Sequence, residues 1–118
     1  MTTTTSMLET YPAEIKLGRG RLAATIDVLI SCAEACTACA DACLSEGSVA
    51  GLVKCVRATT DCADICGTTA RVLSRNTGYD ADTSRALLEA CAVTCGSCGD
   101  ECWARARMHE HCRICAEC

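Results

Sequence analysis

Small and apolar residues recur every three or four positions along most of this 118-residue chain, the spacing of one face of an α-helix. Two turn sequences interrupt the pattern, Glu-Gly-Ser at 46–48 and Asn-Thr-Gly-Tyr at 76–79, and Asp80 or Asp82 can cap the helix that follows the second. A further helix begins near Met108 or His109 without a Gly or Pro at the corner. The pattern therefore predicts four main helices: about residues 21–45, about residues 49–75, from the cap at Asp80 or Asp82 to about residue 107, and from about residue 108 onward.

The residue that repeats along these helix faces is cysteine, where other helical proteins place leucine. Three rows have 4-3-4 spacing, with Thr59 in the place of one thiol, and the last row has 3-3 spacing. Because residues three and four apart share a helix face, each row should face the protein interior. The rows contain all fourteen cysteines: Cys32, Cys36, Cys39 and Cys43; Cys55, Cys62 and Cys66; Cys91, Cys95, Cys98 and Cys102; Cys112, Cys115 and Cys118.

The two halves of the chain repeat one arrangement, a helical hairpin that carries two rows of thiols. Two such hairpins predict an all-α fold, an antiparallel four-helix bundle with a thiol-lined core. We assign residues 1–20 to a flexible N-terminal segment, with room for a short helix between Thr10 and Leu17, and residues 21–118 to the Cys-rich bundle. The fourth helix stops at Cys118, far short of its neighbours, so either the natural chain continues, which we expect, or helices one to three are left uncovered at one end of the bundle.

Antiparallel threading gives the bundle two different ends. One end should be aliphatic and closed to water, because it brings together leucines, an isoleucine and a valine from three helices: Leu22, Ile26, Leu29, Val72, Leu73, Leu87 and Leu88. The other end, which we call the mouth, carries the three remaining candidate metal ligands: Met108, His109 and His111. Thioether and imidazole bind transition-metal ions, so these residues would receive ions at the entrance to the thiol rows.

Composition and charge argue against nucleic-acid binding, secretion and membrane insertion. A formal net charge of −4 gives no basic surface for nucleic acid. The N-terminus lacks the basic and apolar regions of a signal peptide, and we find no apolar run that approaches the ~20 residues needed to span a bilayer. We therefore expect a cytoplasmic protein with no membrane partner, whose thiols stay reduced.

Rows of reduced thiols on helices indicate soft-metal binding. Disulfides are disfavoured, since helix positions i and i+4 lie ~5–6 Å apart, beyond the ~3.5–4.5 Å between bridged Cβ atoms. Thiolate selects Cu(I), zinc or Fe–S iron. Zinc needs closed sets of four ligands, which continuous helices should not provide, whereas Cu(I) accepts two or three sulfurs and can be bridged along a row. A zinc or cadmium buffer and an Fe–S or redox protein remain the alternatives, and no acid–base pair or nucleotide loop indicates an enzyme.

The chain resembles the cytosolic copper storage proteins. The resemblance rests on the helical Cys rows, the leaderless N-terminus and the His-x-His-Cys-x-x-Cys-x-x-Cys sequence at 109–118, and covers about residues 21–118. It implies a four-helix bundle, usually a homotetramer, that stores many Cu(I) ions in its core. Our leading hypothesis is storage and detoxification of Cu(I) as thiolate-bridged clusters, with a copper chaperone as a candidate partner. That family generally has a longer fourth helix with further cysteines.

Overall fold

The structure, a computed structural model, describes residues 2–118, and within that range it contains α-helices and one 3₁₀ helix but no β-strand. The predicted all-α fold is therefore confirmed. The elements are α1 (Thr3–Glu9), α2 (Arg19–Leu44), the 3₁₀ helix Val49–Leu52, α3 (Val53–Leu73), α4 (Ala81–Arg105) and α5 (Glu110–Glu117).

The short N-terminal helix lies earlier than the sequence indicated. Its seven residues are Thr3–Glu9, and the Thr2 side chain caps it by accepting a hydrogen bond from the backbone N–H of Thr5. The 10–17 stretch expected to be helical instead forms turns and irregular backbone. Leu8 of α1 is buried against the bundle, so this helix covers part of the aliphatic end. The flexibility assigned to residues 1–20 stays a prediction.

The four longer helical segments form a ring of neighbours. α2 packs against α3, α3 against α4, α4 against α5, and α5 returns to α2, while α1 packs on α2. Within residues 2–118, the diagonal pairs α2–α4 and α3–α5 make no close backbone contact. This arrangement is the antiparallel bundle, and each helix turns its thiol row toward the space that the ring encloses.

One side of the aliphatic end is open, so the expected closure to water is wrong there and the alternative of uncovered helices applies. Leu22, Ile26 and Leu73 are buried as expected, but Leu88 on α4 is 40% exposed. At the usual helix rise, the 8 residues of α5 span about 12 Å and the 25 residues of α4 about 37 Å. The short α5 therefore covers α4 only near the mouth.

The apolar character of α2 also differs from the expectation. An 18-residue window within Arg19–Leu44 has a mean hydropathy of 1.6, so by length and composition α2 is a candidate membrane span. A helix in the core of a bundle passes the same test, and α2 buries a face that contains its thiol row. We attribute the high hydropathy to that core face, and the statement that no apolar run approaches a span length was wrong.

Candidate metal centre

The thiols lie inside the ring of helices. Twelve of the fourteen cysteines are buried, Cys95 is partly buried and Cys118 is exposed, and all fourteen are free thiols. The rows on α2, α3, α4 and α5 meet because each is the buried stripe of its own helix. The Sγ atoms gather into overlapping groups that follow the long axis of the bundle, which we describe from the aliphatic end to the mouth.

The innermost group contains four thiols whose Sγ atoms all lie within 4.8 Å of one another: Cys32, Cys62, Cys66 and Cys95. The Sγ of Cys95 lies 3.5 Å from that of Cys66 and 3.6 Å from that of Cys62, and Cys62 and Cys66 are 3.8 Å apart. Cys62 also belongs to the next group, with Cys36 and Cys98. The two groups are therefore joined through one shared sulfur.

Two groups of three thiols occupy the middle of the bundle. Each draws on three helices, and their members are Cys36, Cys62 and Cys98 in one and Cys39, Cys102 and Cys115 in the other. Short Sγ–Sγ contacts connect them, 3.9 Å between Cys98 and Cys102 and 3.7 Å between Cys115 and Cys36. Thiols from α2, α4 and α5 thus form one continuous set here.

The outermost thiol group includes a histidine. Its members are Cys39, Cys43, Cys112 and His111. The Nδ1 atom of His111 lies 3.4 Å from the Sγ of Cys39 and 3.6 Å from that of Cys112. Cys55 extends this group, since its Sγ is 3.9 Å from that of Cys43.

The structure brings four ligands together at two places, but neither set is isolated, because Cys62 and Cys39 also belong to the groups of three thiols. The four-thiol group and the group of three thiols with His111 share no residue. Around a tetrahedral zinc ion with bonds of about 2.3 Å, sulfurs are about 3.8 Å apart, close to the 3.5–3.8 Å measured among Cys62, Cys66 and Cys95. No single helix can wrap an ion, but three helices together supply these four thiols.

Cys91 stands apart from these groups. Its thiol donates a hydrogen bond of 3.1 Å to the hydroxyl of Thr69, which in turn donates to the carbonyl of Ile65. Thr59, fully buried in the α3 row, donates its hydroxyl hydrogen bond to the carbonyl of Cys55 at 2.8 Å. Both threonines are thus polar interruptions of the thiol lining, and the sequence pattern had identified only Thr59.

Glu46 completes the mouth, and the sequence analysis missed it. One carboxylate oxygen of Glu46 lies 2.5 Å from Nδ1 of His109 and 3.0 Å from Nε2 of His111. The two imidazole rings stack with centroids 5.5 Å apart. Met108 lies in the turn before α5, and 71% of its surface is exposed. Glu46 could have been identified from the sequence, because it lies in the turn after α2, at the end of the bundle predicted to carry the histidines.

The protonation of the site follows from burial and from these contacts. Burial raises the pKa of the Cys43 thiol to about 12 and is the largest cause of the raised pKa of Cys55. The hydrogen bond from His111 is the largest of the effects that lower the pKa of Glu46. Burial alone would lower the pKa of His111, but hydrogen bonds with Cys39 and Glu46 outweigh it and raise that pKa. In the metal-free protein, Cys43 and Cys55 therefore hold their protons at neutral pH, while the Glu46 carboxylate at the mouth is ionised.

The fold and the site together define a metal-binding helical bundle with a thiol core. The family model described as copper storage protein matches residues 19–118. The chain belongs to the copper storage protein family, and the resemblance found in the sequence is confirmed. A comparison with curated proteins finds no match.

Solved structures of one Streptomyces lividans protein are similar to this chain. They include the copper storage protein Ccsp loaded with 10 copper equivalents, 58% identical over 98% of this chain and 88% of that chain, with a TM-score of 0.95. Another is described as a cytosolic copper storage protein with five coppers, 61% identical over 83% of this chain and 82% of that chain, with a TM-score of 0.81. A histidine-to-alanine variant of Ccsp is 59% identical over 86% and 84%, with a TM-score of 0.83.

Proposed function

We propose that this chain stores Cu(I) in the cytosol as thiolate-bridged clusters and so protects against excess copper. The observation that carries the proposal is the continuity of the thiols. Successive Sγ–Sγ contacts of 3.8 to 4.0 Å lead from Cys36 through the middle of the bundle to the mouth, by way of Cys98, Cys102, Cys55, Cys43 and Cys112. Four-ligand sites for single ions would not need thiols linked from one group to the next.

The sulfur separations suit Cu(I). With metal–sulfur bonds of about 2.3 Å, three sulfurs around one ion lie about 4.0 Å apart, and two opposite sulfurs about 4.6 Å apart. The contacts of 3.7 to 3.9 Å in the middle of the bundle are close to the three-coordinate value. Rotation about the Cys side-chain bonds can supply the remaining few tenths of an ångström. Cu(I) can therefore enter without any rearrangement of the helices.

Charge balance favours a store of monovalent ions. Each Cu(I) that binds replaces one thiol proton, so an ion and its thiolate are together neutral in the interior. Unpaired thiolates would be costly there, since a charge buried in an apolar environment loses its hydration. We propose all fourteen thiols as ligands, with Cys91 and Cys118 the least connected to the rest.

Copper would load through the mouth. His111 faces the outermost thiols with one ring nitrogen and the entrance with the other, which suits a residue that passes ions inward. His109 stands beside it, and the exposed Met108 could be the first ligand. Imidazole and thioether are weaker ligands for Cu(I) than thiolate, so ions would move on to the sulfurs. A copper chaperone is the proposed donor.

A store needs no catalytic machinery, and we propose that the chain is not an enzyme. We also propose a homotetramer, supported by large apolar side chains that a single chain leaves in solvent. Val28 is 61%, Val93 72% and Trp103 62% exposed. Light scattering of the reduced protein in gel filtration would measure the mass, and a monomer at micromolar concentration would contradict this assembly.

An anaerobic titration with a strong Cu(I) chelator present tests the storage function. We expect about one Cu(I) per thiol to be held against the chelator, far more than single sites would bind, because each thiolate can bridge two ions. A zinc titration under the same conditions tests the alternative, a general thiolate buffer, which the two four-ligand groups favour. Copper saturation at two ions, together with preferential zinc retention in a mixture, would overturn the proposal.

A further inference from the structure

The carboxylate of Glu46 contacts both mouth histidines through one oxygen atom. That oxygen lies 2.5 Å from Nδ1 of His109 and 3.0 Å from Nε2 of His111. An ionised carboxylate can only accept hydrogen bonds, so each of these two nitrogens must be the one that bears a proton. The contacts therefore determine where the hydrogen sits on both rings.

The free nitrogens of the two rings follow from this. A neutral imidazole has one N–H and one nitrogen with a lone pair, and only the lone pair can bind a metal ion. With its Nε2–H donated to Glu46, His111 has a free Nδ1, the atom 3.4 Å from the Sγ of Cys39. Nδ1 of His109 lies 2.5 Å from the same oxygen, too close for a nitrogen lone pair to face an ionised carboxylate, so Nδ1 bears the proton and Nε2 is free. The stacked rings, 5.5 Å apart, thus offer opposite nitrogens to copper.

Backbone hydrogen bonds hold Glu46 in the position from which it contacts both histidines. Its N–H donates to the carbonyl of Cys43 at the end of α2, and its own carbonyl accepts from the N–H of Val49. On the other side of the contact, His109 is the N-cap residue of α5, whose first turn includes His111. The turn after α2 and the start of α5 are joined at the mouth by this carboxylate.

We propose that Glu46 is a positioning residue for copper entry, which selects the tautomers of His109 and His111. It keeps Nδ1 of His111 available to an ion among the outermost thiols and Nε2 of His109 available to an arriving ion. This inference rests on the proposed storage function. Carboxylates that hydrogen-bond to a metal-ligating histidine have this role in other metal sites, and their loss costs roughly 10–100-fold in affinity or activity.

The direct test is long-range ¹H–¹⁵N NMR of the histidine rings in reduced, metal-free protein at mildly alkaline pH. We expect the wild type to show protonated Nε2 on His111 and protonated Nδ1 on His109. Glu46→Ala should make both rings a mixture of tautomers, and Glu46→Asp should restore the wild-type pattern in part. A wild-type spectrum with the proton on Nδ1 of His111, or tautomers unchanged in Glu46→Ala, would overturn the proposal.

Copper uptake gives the functional readout. Stopped-flow loading of Glu46→Ala should be roughly tenfold slower than that of the wild type, with the final number of ions unchanged. Asp41→Asn is the matched control, since it removes one charge from an exposed position on the last turns of α2 and should load normally. Equal rates for Glu46→Ala and wild type, with full capacity in both, would refute only the role of Glu46. A wild type that fails to hold many ions would refute the storage function, and the NMR result would still stand.

Discussion

Replacing Cys62 with alanine tests the continuity of the thiols most directly. Its Sγ belongs to both the innermost four-thiol group and the adjoining group with Cys36 and Cys98. It lies 3.6 Å from the Sγ of Cys95 and 3.8 Å from that of Cys66. The substitution leaves the first group with three thiols and the second with two, so it should remove ions from both.

The expected loss of copper capacity in Cys62→Ala can be compared with the loss in a control variant, Cys91→Ala. A thiolate that bridges two groups serves two ions, so Cys62→Ala should lower the copper capacity by about two ions. Cys91→Ala also removes a buried thiol, one that belongs to no group, and should cost one ion at most. Each variant loses one buried sulfur, a cost of about 1 kcal/mol in unfolding free energy, or roughly 4 °C in Tm for the metal-free protein.

The assay is anaerobic titration of each reduced variant with Cu(I) against a competing chelator, with copper and protein measured independently. Circular dichroism melting of the metal-free forms checks that the two variants are about equally stable. The reasoning fails if both variants lose the same number of ions, because a shared sulfur would then contribute no more than an isolated one.

Four further outcomes are expected. Thr59→Cys should raise the copper capacity by about one ion, since it restores a buried thiol to the α3 row; unchanged stoichiometry would contradict this. Reduced metal-free protein should be strongly helical by far-UV circular dichroism, because an aliphatic layer and protonated thiols pack without metal, and a coil spectrum would exclude this. Zinc alone should saturate at about two ions, one for each four-ligand group, as measured by equilibrium dialysis. Burial raises the pKa of Cys43 to about 12, so copper must displace its proton and the affinity for Cu(I) at the mouth should rise with pH, which chelator competition at several pH values would show.

The sequence alone predicted the helices and the direction of their thiol rows. Both depend on local periodicity: cysteines three and four apart share one face whatever the helix later packs against. The Asp80 cap was equally local, since its side chain accepts from the N–H of Asp82 two residues away. The repeat of two hairpins then made the antiparallel bundle the expected arrangement.

Only the tertiary structure decided which thiols lie together. Cys62 joins two groups and Cys91 joins none, although both occupy the buried face of their helices. The difference arises from the stagger and rotation of one helix against the next, which a periodicity within a helix does not contain.

At the mouth, too, the sequence determined some features and the tertiary structure determined others. The sequence placed His109 and His111 beside the thiols because they precede Cys112 in the chain. Glu46 is more than sixty residues away from them, and its contact with both exists because the turn after α2 meets the start of α5. Spacing along the chain therefore determined the chemical type of the ligands, whereas helix packing determined which ligands share an ion and which ring nitrogens face it.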